Sequence, residues 1–321
     1  MKRREFIGVV GGAVAWPVTA RSQPAPPVVG FLSGEPHVPW MHEFLRGLAK
    51  TGWIEGRNAT VERRFADGDS KRLPALAAEL VYRQAKVIVA AGIPAMQAAR
   101  AAHATIPIVF TLSGDPVKLG LIKSLNRPDG NVTGITNMGV EIGPKRVELL
   151  HELLPAATAF AALVNPTNPG AAIQSKELAR AAHTRGLKLH MLHASTGADI
   201  DEAFAMARQL RVDGFVVGVN ALFNTHLTKL AALGQNHRIP TIFQNREFTA
   251  AGGLISYGGT NAEAYRLLGS YAGRVLKGEK TAELPVQQAT RVELIINLMT
   301  AKLLGLTVPP TLLARADEVI E

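Results

Sequence analysis

The sequence predicts an α/β protein made of two doubly wound lobes, each a parallel sheet covered by helices on both faces. Short apolar runs alternate with longer stretches of helical spacing, which is the pattern of βαβ crossovers. The strongest turn cluster, residues 126–131 (Asn-Arg-Pro-Asp-Gly-Asn), is followed by one more strand, after which the same alternation starts again. We therefore predict two lobes joined around residue 135 by a hinge of several adjacent strands.

The first round of elements follows a Pro-rich stretch at 24–27. Its first helix carries Trp40, Phe44 and Leu48 at helical spacing and ends near Thr51-Gly52. The predicted strands are 28–32, 60–65, 86–91, 107–112 and 132–137. The other predicted helices are one with its apolar stripe between 73 and 81, and those at 94–103 and 117–125.

The second round repeats this alternation. Its predicted helices are 144–154, 171–185, 200–210 and 227–234, and its predicted strands are 160–165, 188–193, 214–220 and 240–244. A strand at 254–257, a helix at 262–276, an extended segment at 285–288 and a helix at 292–304 follow, and Pro309-Pro310 breaks that last helix. We expect lobe 1 to hold 28–135 plus about 256–289, and lobe 2 to hold 136–255 plus about 290–321.

The first 22 residues have the three parts of an export signal: a charged start, a short apolar middle and a small-residue cleavage site. Arg3-Arg4 just before Phe6-Ile7 indicates the twin-arginine variant. The apolar stretch is too short to span a bilayer. We expect cleavage after Ser22 and a mature protein that works in the periplasm without spanning the membrane.

Composition excludes several classes of function. The 321 residues contain no cysteine, which rules out disulfides, thiolate catalysis, cysteine-based metal sites and a lipid anchor at the cleavage site. The formal net charge is +9, but the basic residues are spread over many helices and lie beside acids, so no nucleic-acid surface is expected. With 47% apolar residues the chain can bury a substantial core.

Small and polar residues follow most of the predicted strands. Because ligands of open parallel sheets bind outside the carboxyl ends of the strands, two facing lobes place one site in the cleft between them. Helices that begin with Pro after such a strand also offer free N–H groups to a carboxylate. The candidate ligand-binding residues are Ser33, Gly92, Ile93, Ser113, Asp115, Asn137, Asn165, Asn220, Gln244 and Tyr257. Individually, Asp115 and Asn165 suit a helix N-cap equally well, and Tyr257 suits packing at the hinge.

The motifs of common enzyme classes are missing. The sequence has no P-loop, no G-x-G-x-x-G after the first strand and no G-x-S-x-G. His42-Glu43 and His151-Glu152 are not followed by the second His of a metalloprotease helix, and His190 and His193 point to opposite faces of one strand. We expect neither catalysis nor a cofactor or metal.

Five stretches together resemble the ABC-transporter substrate-binding proteins of the tryptophan/tyrosine-binding type. They are 47–58 (GLAKTGWIEGRN), 105–110 (TIPIVF), 113–117 (SGDPV), 131–134 (NVTG) and 312–320 (LLARADEVI). The resemblance runs over essentially the whole mature chain, and the twin-arginine leader fits it as well.

The resemblance implies a type I periplasmic-binding-protein fold with three crossings between the lobes, and a monomer that captures a small solute for an inner-membrane permease with a cytoplasmic ATPase. It also implies a ligand with a carboxylate, an amino group and an apolar body, with the 91–94 loop and Ser113 at the carboxylate. The family pattern predicts Thr just before Pro94, where this chain has Ile93. This loses a hydroxyl donor and leaves a ligand other than an amino acid open. An exported enzyme with a pre-loaded cofactor and a sensor module for a membrane kinase remain as alternatives.

Overall fold

A computed structural model describes residues 25–35, 38–103, 105–128, 130–137, 139–289 and 291–321. The predicted export signal, residues 1–22, lies outside the described residues. The strands are β1 (Val28–Ser33), β2 (Thr60–Phe65), β3 (Val87–Ala91), β4 (Ile108–Leu112), β5 (Val132–Thr136), β6 (Ala159–Val164), β7 (Lys188–His193), β8 (Gly214–Val217), β9 (Thr241–Phe243), β10 (Ile255–Gly259), β11 (Gln287–Gln288), β12 (Val292–Asn297) and β13 (Glu318–Ile320).

Helices lie between most of these strands, which is why the strands pair in parallel. The helices are α1 (Met41–Lys50), α2 (Leu73–Tyr82), α3 (Ile93–Ala102), α4 (Gly143–Leu153), α5 (Ala171–Thr184), α6 (Gly197–Gln209), α7 (Ala221–Thr225), α8 (Leu227–Asn236), α9 (Arg246–Ala250), α10 (Asn261–Leu276), α11 (Leu298–Leu303) and α12 (Pro310–Leu313).

The described strands form two sheets with the same internal order. The first sheet runs β2-β1-β3-β4-β5-β11, and the second runs β7-β6-β8-β9-β10-β12-β13. All pairs are parallel except β10 with β12. We call the first sheet with its helices lobe 1 and the second lobe 2. The predicted α/β class with two doubly wound sheets is confirmed.

Each sheet has an apolar layer on both faces because successive strand residues point to opposite sides. In β1, Val29 and Phe31 pack with α1 and α10, whereas Leu32 packs with α2 and α3 on the other face. In β6, Phe160 and Ala162 pack with α4 and α5, whereas Leu163 packs with α6 and α8. The sheets are therefore buried on both faces, as the apolar strand sequences predicted.

Within the described residues the chain passes between the lobes three times: between β5 and α4, between β10 and α10, and between β11 and β12. β10 pairs with β9 and β12 of lobe 2, so the second crossing follows Gly259, a few residues after the expected boundary of about 256. α10 then returns to lobe 1 and packs closely on α1, where a Cβ on Gly47 or Gly269 would overlap the facing helix backbone.

Two predicted helices are wrong. Residues 117–125 form turns, held by Asp115 at their start, and contain no helix. The predicted helix at 292–304 is instead strand β12 followed by the short helix α11. Leu294, Ile295 and Ile296 are buried in the sheet beside β10, and the Asn297 side chain caps α11 by accepting the Thr300 N–H at 2.9 Å. Helix-spaced apolar residues and a β-branched strand look alike over so short a run.

Candidate ligand-binding cleft

The carboxyl ends of the strands of both lobes face one cavity of about 100 Å³. Lobe 1 lines it with the side chains of Glu35, Trp40, Ser70, Thr111, Ser113 and Tyr265. Lobe 2 contributes amides, namely Asn168, Gln174, Asn220, Asn224 and Gln244. Asn137 and Asn261, which lie at two crossings, complete the polar lining. A molecule in this space would touch both lobes.

The β3–α3 turn presents a helix N-terminus to the cavity. Gly92 has φ of 95°, a backbone conformation that favours glycine, and its carbonyl accepts the Met96 N–H at 3.0 Å. Pro94 stands in the first turn, where a missing N–H costs nothing. The N–H groups of this first turn and the positive end of the helix dipole suit an anionic group.

Glu35 is the one charged side chain among the described residues that line the cavity. It follows β1, and its N–H donates to the Ser33 Oγ at 3.1 Å. Its Oε1 accepts a hydrogen bond of 2.7 Å from Nδ2 of Asn224 in the opposite lobe. Burial raises the pKa of Glu35 from 4.5 to about 7, the nearby carboxylate of Glu247 adds to this, and the hydrogen bond from Asn224 opposes it.

Two aromatic side chains of lobe 1 form an apolar wall beside Glu35. The rings of Trp40 and Tyr265 lie 5.5 Å apart between centroids, and Phe31 stacks on the far side of Tyr265 at 6.3 Å. The side chain of Trp40 also lies near Glu247 of lobe 2. Burial, together with the charge of Glu35, raises the pKa of Tyr265 well above its usual range, so this phenol stays neutral. The wall offers a planar surface to an aromatic group.

Amide side chains and one arginine fix the crossings. Asn137 donates to Asn261 at 3.1 Å, and Asn261 donates to Asn245 at 3.2 Å. The guanidinium of Arg146 is 1% exposed and donates to the carbonyls of Tyr257, at 2.9 Å, and Gly139. Burial lowers the pKa of Arg146 to about 10. These bonds tie the first crossing to the second beneath the cavity.

Six of the ten predicted site residues line the cavity, and whether they bind a ligand stays a prediction. They are Gly92, Ile93, Ser113, Asn137, Asn220 and Gln244. Each lies within three residues of the end of a strand at the cleft. The rule that ligands bind at the carboxyl ends of strands located them.

The other four predicted residues do not line the cavity because each meets a structural need nearby. Ser33 is buried, and its hydroxyl accepts the Glu35 N–H. The carboxylate of Asp115 accepts the N–H groups of Val117 and Lys118.

Asn165 and Tyr257 do not line the cavity for similar reasons. Asn165 accepts from Thr167 and donates to Asn220, so it positions a lining residue. The ring of Tyr257 packs against the apolar core of lobe 2.

The sequence reasoning missed Glu35, Trp40, Asn224, Asn261 and Tyr265. Glu35 was within reach, since it lies two residues past the end of β1. Trp40 was read only as part of an apolar helix pattern, and Tyr265 lies inside the predicted helix 262–276 without being singled out. Asn224 belongs to α7, a five-residue helix too short to show a period.

Two absences concern the described parts of the chain. No group of three or more His, Asp or Glu side chains there is arranged to hold a metal ion. Every helix there is too short or too polar to span a bilayer.

Comparisons with known proteins agree with this architecture. The family model described as "ABC transporter substrate binding protein" matches residues 27–320. A tyrosine-binding protein of Clostridioides difficile (strain R20291) is 26% identical over 264 residues, which are 82% of this chain and 75% of that protein.

Solved structures give the same result. A conserved domain protein of Vibrio cholerae superposes with a TM-score of 0.84 at 27% identity, covering 91% of this chain and 99% of that one. A Streptococcus pneumonia ABC domain in complex with L-Trp superposes with a TM-score of 0.82 at 23% identity, covering 92% and 100%. The fold of the periplasmic binding proteins of type I is thereby confirmed. Because the family model spans nearly all of the described residues, the chain belongs to the family of ABC transporter substrate-binding proteins.

Proposed function

We propose that this protein captures a small aromatic solute that bears a carboxylate, such as an aromatic amino acid, in the cleft between its lobes. A membrane permease with a cytoplasmic ATPase then receives the solute. The observation that carries the proposal is the cavity that lies at the carboxyl ends of the strands of both lobes, polar on the lobe 2 side and aromatic on the lobe 1 side. Binding is the whole activity, and the solute leaves unchanged.

The ligand's carboxylate binds at the N-terminus of α3. The first-turn N–H groups after Gly92 and the Ser113 side chain both line the cavity, and no described lining residue is a lysine, arginine or histidine. A carboxylate must therefore be held by neutral donors and the helix dipole, an arrangement that proteins use for anions.

The aromatic body of the ligand stacks against Trp40. The names of two similar proteins support this ligand class, since one is a tyrosine-binding protein and the other was crystallised with L-Trp. A planar ring would fill the space beside Trp40 and Tyr265 and displace water from that wall.

The ligand stabilises a closed arrangement of the lobes. Glu35 of lobe 1 and Asn224 of lobe 2 already touch at 2.7 Å, so the lobes meet across the cleft in this structure. A ligand with contacts to both lobes binds this form more tightly than an open one and shifts the population toward it. The closed form is the one that docks on the permease.

The protein works in the periplasm after export through the twin-arginine pathway. Arg3-Arg4 and the small residues before Gln23 support this proposal. In cells that carry the Arg3→Lys, Arg4→Lys double variant, the protein should accumulate uncleaved in the cytoplasm. Unchanged periplasmic yield of that variant would contradict the route.

Calorimetry on the mature protein tests the ligand class. Titration with L-tyrosine, L-tryptophan and indole-3-propionate should give saturable binding, and saturating ligand should raise the melting temperature. Trp40→Ala should weaken binding, whereas Trp53→Ala should not, because Trp53 packs on α10 with its Nε1 on the Gly273 carbonyl, outside the cavity. If no aromatic carboxylate binds, the proposed ligand class is wrong.

A further inference from the structure

The cleft holds a carboxyl group without a cationic partner among the described residues. Glu35 is partly buried, and the described groups that face it are Asn224 of α7, Tyr265 of α10, Trp40 before α1, and Glu247 of α9. The first three are neutral and the fourth is itself acidic. Removing a carboxylate from water without an opposite charge is costly, so this position favours a cation.

The cavity has opposite electrostatic character at two places. The first turn of α3 presents N–H groups, and Glu35 presents an acceptor. No described lysine, arginine or histidine lines the space to neutralise Glu35 from the protein side. A solute with one anionic and one cationic group would complement both places.

We infer that Glu35 is the counter-charge for a cationic amine of the ligand, so that the cleft selects amine-bearing solutes over otherwise identical carboxylic acids. This inference rests on the proposed function and names the chemical group that sets its specificity. Asn224 positions the Glu35 carboxyl through Oε1, and its own Oδ1 is held by Asn245 at 2.7 Å and Gln244 at 3.3 Å. Lobe 2 thus orients the acid that lobe 1 supplies.

Pairs of compounds that differ by one group test the inference. The probes are L-tryptophan, its deaminated form indole-3-propionate and its decarboxylated form tryptamine, each titrated into the wild type, Glu35→Gln and Glu141→Gln. The wild type should bind L-tryptophan roughly 10- to 100-fold more tightly than indole-3-propionate, which is the usual range for one charge-assisted hydrogen bond.

The substitution Glu35→Gln should shrink this preference to a few-fold by weakening L-tryptophan alone. Glu141→Gln is the matched control, because burial also raises the pKa of Glu141, whose Oε1 accepts the Asp115 N–H away from the cavity lining. It should keep the wild-type preference.

The pH dependence of the wild type provides a second readout that needs no variant. The Glu35 pKa of about 7 must fall when an ammonium binds beside it, so binding releases a proton. The apparent affinity for L-tryptophan should then rise about tenfold from pH 6 to pH 8, following the ionised fraction of Glu35. Glu35→Gln should show no such rise.

The outcomes separate this inference from the proposal on which it rests. Equal affinity of the wild type for L-tryptophan and indole-3-propionate, or a pH-independent affinity, overturns the role of Glu35 and leaves the binding of aromatic carboxylates intact. Absence of binding by all three probes overturns both.

Discussion

The two lobes share one strand order but contribute different chemistry to the cleft. Both sheets place their first five strands in the order 2-1-3-4-5. Lobe 1 supplies the acid Glu35, the aromatic wall of Trp40 and Tyr265, and the N-terminus of α3, whereas lobe 2 supplies amides such as Asn220 and Asn224. Lobe 1 therefore contributes the charged group and the aromatic surface, and lobe 2 contributes side chains that can both donate and accept hydrogen bonds. The difference teaches that a repeated scaffold fixes where a site lies but not what it recognises.

The largest expected effect is on the free energy of unfolding and comes from the packing of helices within each lobe. In lobe 1, α10 approaches α1 so closely that a Cβ on Gly269 would meet the Phe44 carbonyl, which cannot move aside. Gly269→Leu should cost about 3 kcal/mol or more of unfolding free energy through overpacking.

In lobe 2 the corresponding control is Gly143→Ala at the start of α4. Its Cβ would meet the side chain of Leu178 at 3.3 Å, and a side chain can shift. Urea denaturation followed by circular dichroism should show little change for this variant. Equal losses in both variants would mean that the close α1–α10 contact is not special.

The next effect is the loss of ligand affinity when one side chain of either lobe is removed. Trp40→Ala removes the tryptophan ring from the aromatic wall of lobe 1 and leaves Tyr265. It should weaken an aromatic ligand by roughly 30- to 100-fold, as for other aromatic anchors of binding sites. Asn224→Ala removes neutral hydrogen bonds of lobe 2 and should cost about fivefold.

Calorimetry on both variants provides the measurement, with Trp53→Ala as the control for losing a tryptophan of lobe 1. A larger loss from Asn224→Ala than from Trp40→Ala would place the main recognition in lobe 2 and reverse the comparison.

The sequence located the lobes better than it located the recognition chemistry. The periodicity of β1 to β9 and the turn cluster at 126–131 were enough to predict both sheets, because buried parallel strands read as short apolar runs. Strand ends likewise led to Gly92, Ser113 and Asn220. Trp40 and Tyr265 could not be separated from core residues, since a helical apolar stripe has the same pattern whether it faces a core or a cavity.

The tail after residue 254 shows the second limit. β12 and β13 complete lobe 2, but whether a segment such as 292–297 is strand or helix depends on which edge it joins. That choice is decided by tertiary contacts and cannot be read from six residues alone. The same holds for β10, whose membership in lobe 2 depends on its pairing with β9.

A smaller effect is the pH dependence of the stability of the ligand-free protein, to which Glu35 of lobe 1 and Asp199 of lobe 2 contribute differently. The pKa of Glu35 is raised from 4.5 to about 7 in the folded protein. Between pH 4.5 and pH 7 the folded protein therefore keeps a proton on Glu35 that the unfolded chain has lost. The contribution of Glu35 to the free energy of unfolding should therefore be fully present below pH 4.5. It should be lost as the pH rises to 7, which lowers the free energy of unfolding by at most about 3 kcal/mol.

Glu35→Gln should remove this fall and leave the ligand-free protein more stable than the wild type at pH 8, although the variant should bind L-tryptophan less well. Melting temperatures from pH 5 to pH 8 provide the measurement. A wild type whose stability rises across this range faster than that of the variant would contradict the buried, proton-holding state of Glu35.

The smallest expected effect comes from Asp199 of lobe 2, whose pKa is lowered, whereas that of Glu35 is raised. Asp199 forms a capping box at the start of α6: its carboxylate accepts the N–H groups of Ser195 and Thr196, while its own N–H donates to the Thr196 Oγ1. The backbone hydrogen bond from Ser195 is the main cause that lowers the pKa of Asp199 from 3.8 to about 2, with the Thr196 and Ser195 side chains adding to it. This contribution is present above pH 4 and is lost as the pH falls toward 2.

Asp199→Asn keeps the shape of the cap but removes its charge, so it should lower the melting temperature slightly at pH 6, and the gap to the wild type should close as the pH approaches 2. Because Asp199 is not among the residues that line the cleft, affinity for L-tryptophan should not change. Equal melting temperatures of the variant and the wild type at pH 6 would show that the cap acts by shape alone. Asp199 of lobe 2 would then stabilise the fold without its charge, whereas the charge of Glu35 in lobe 1 lowers stability.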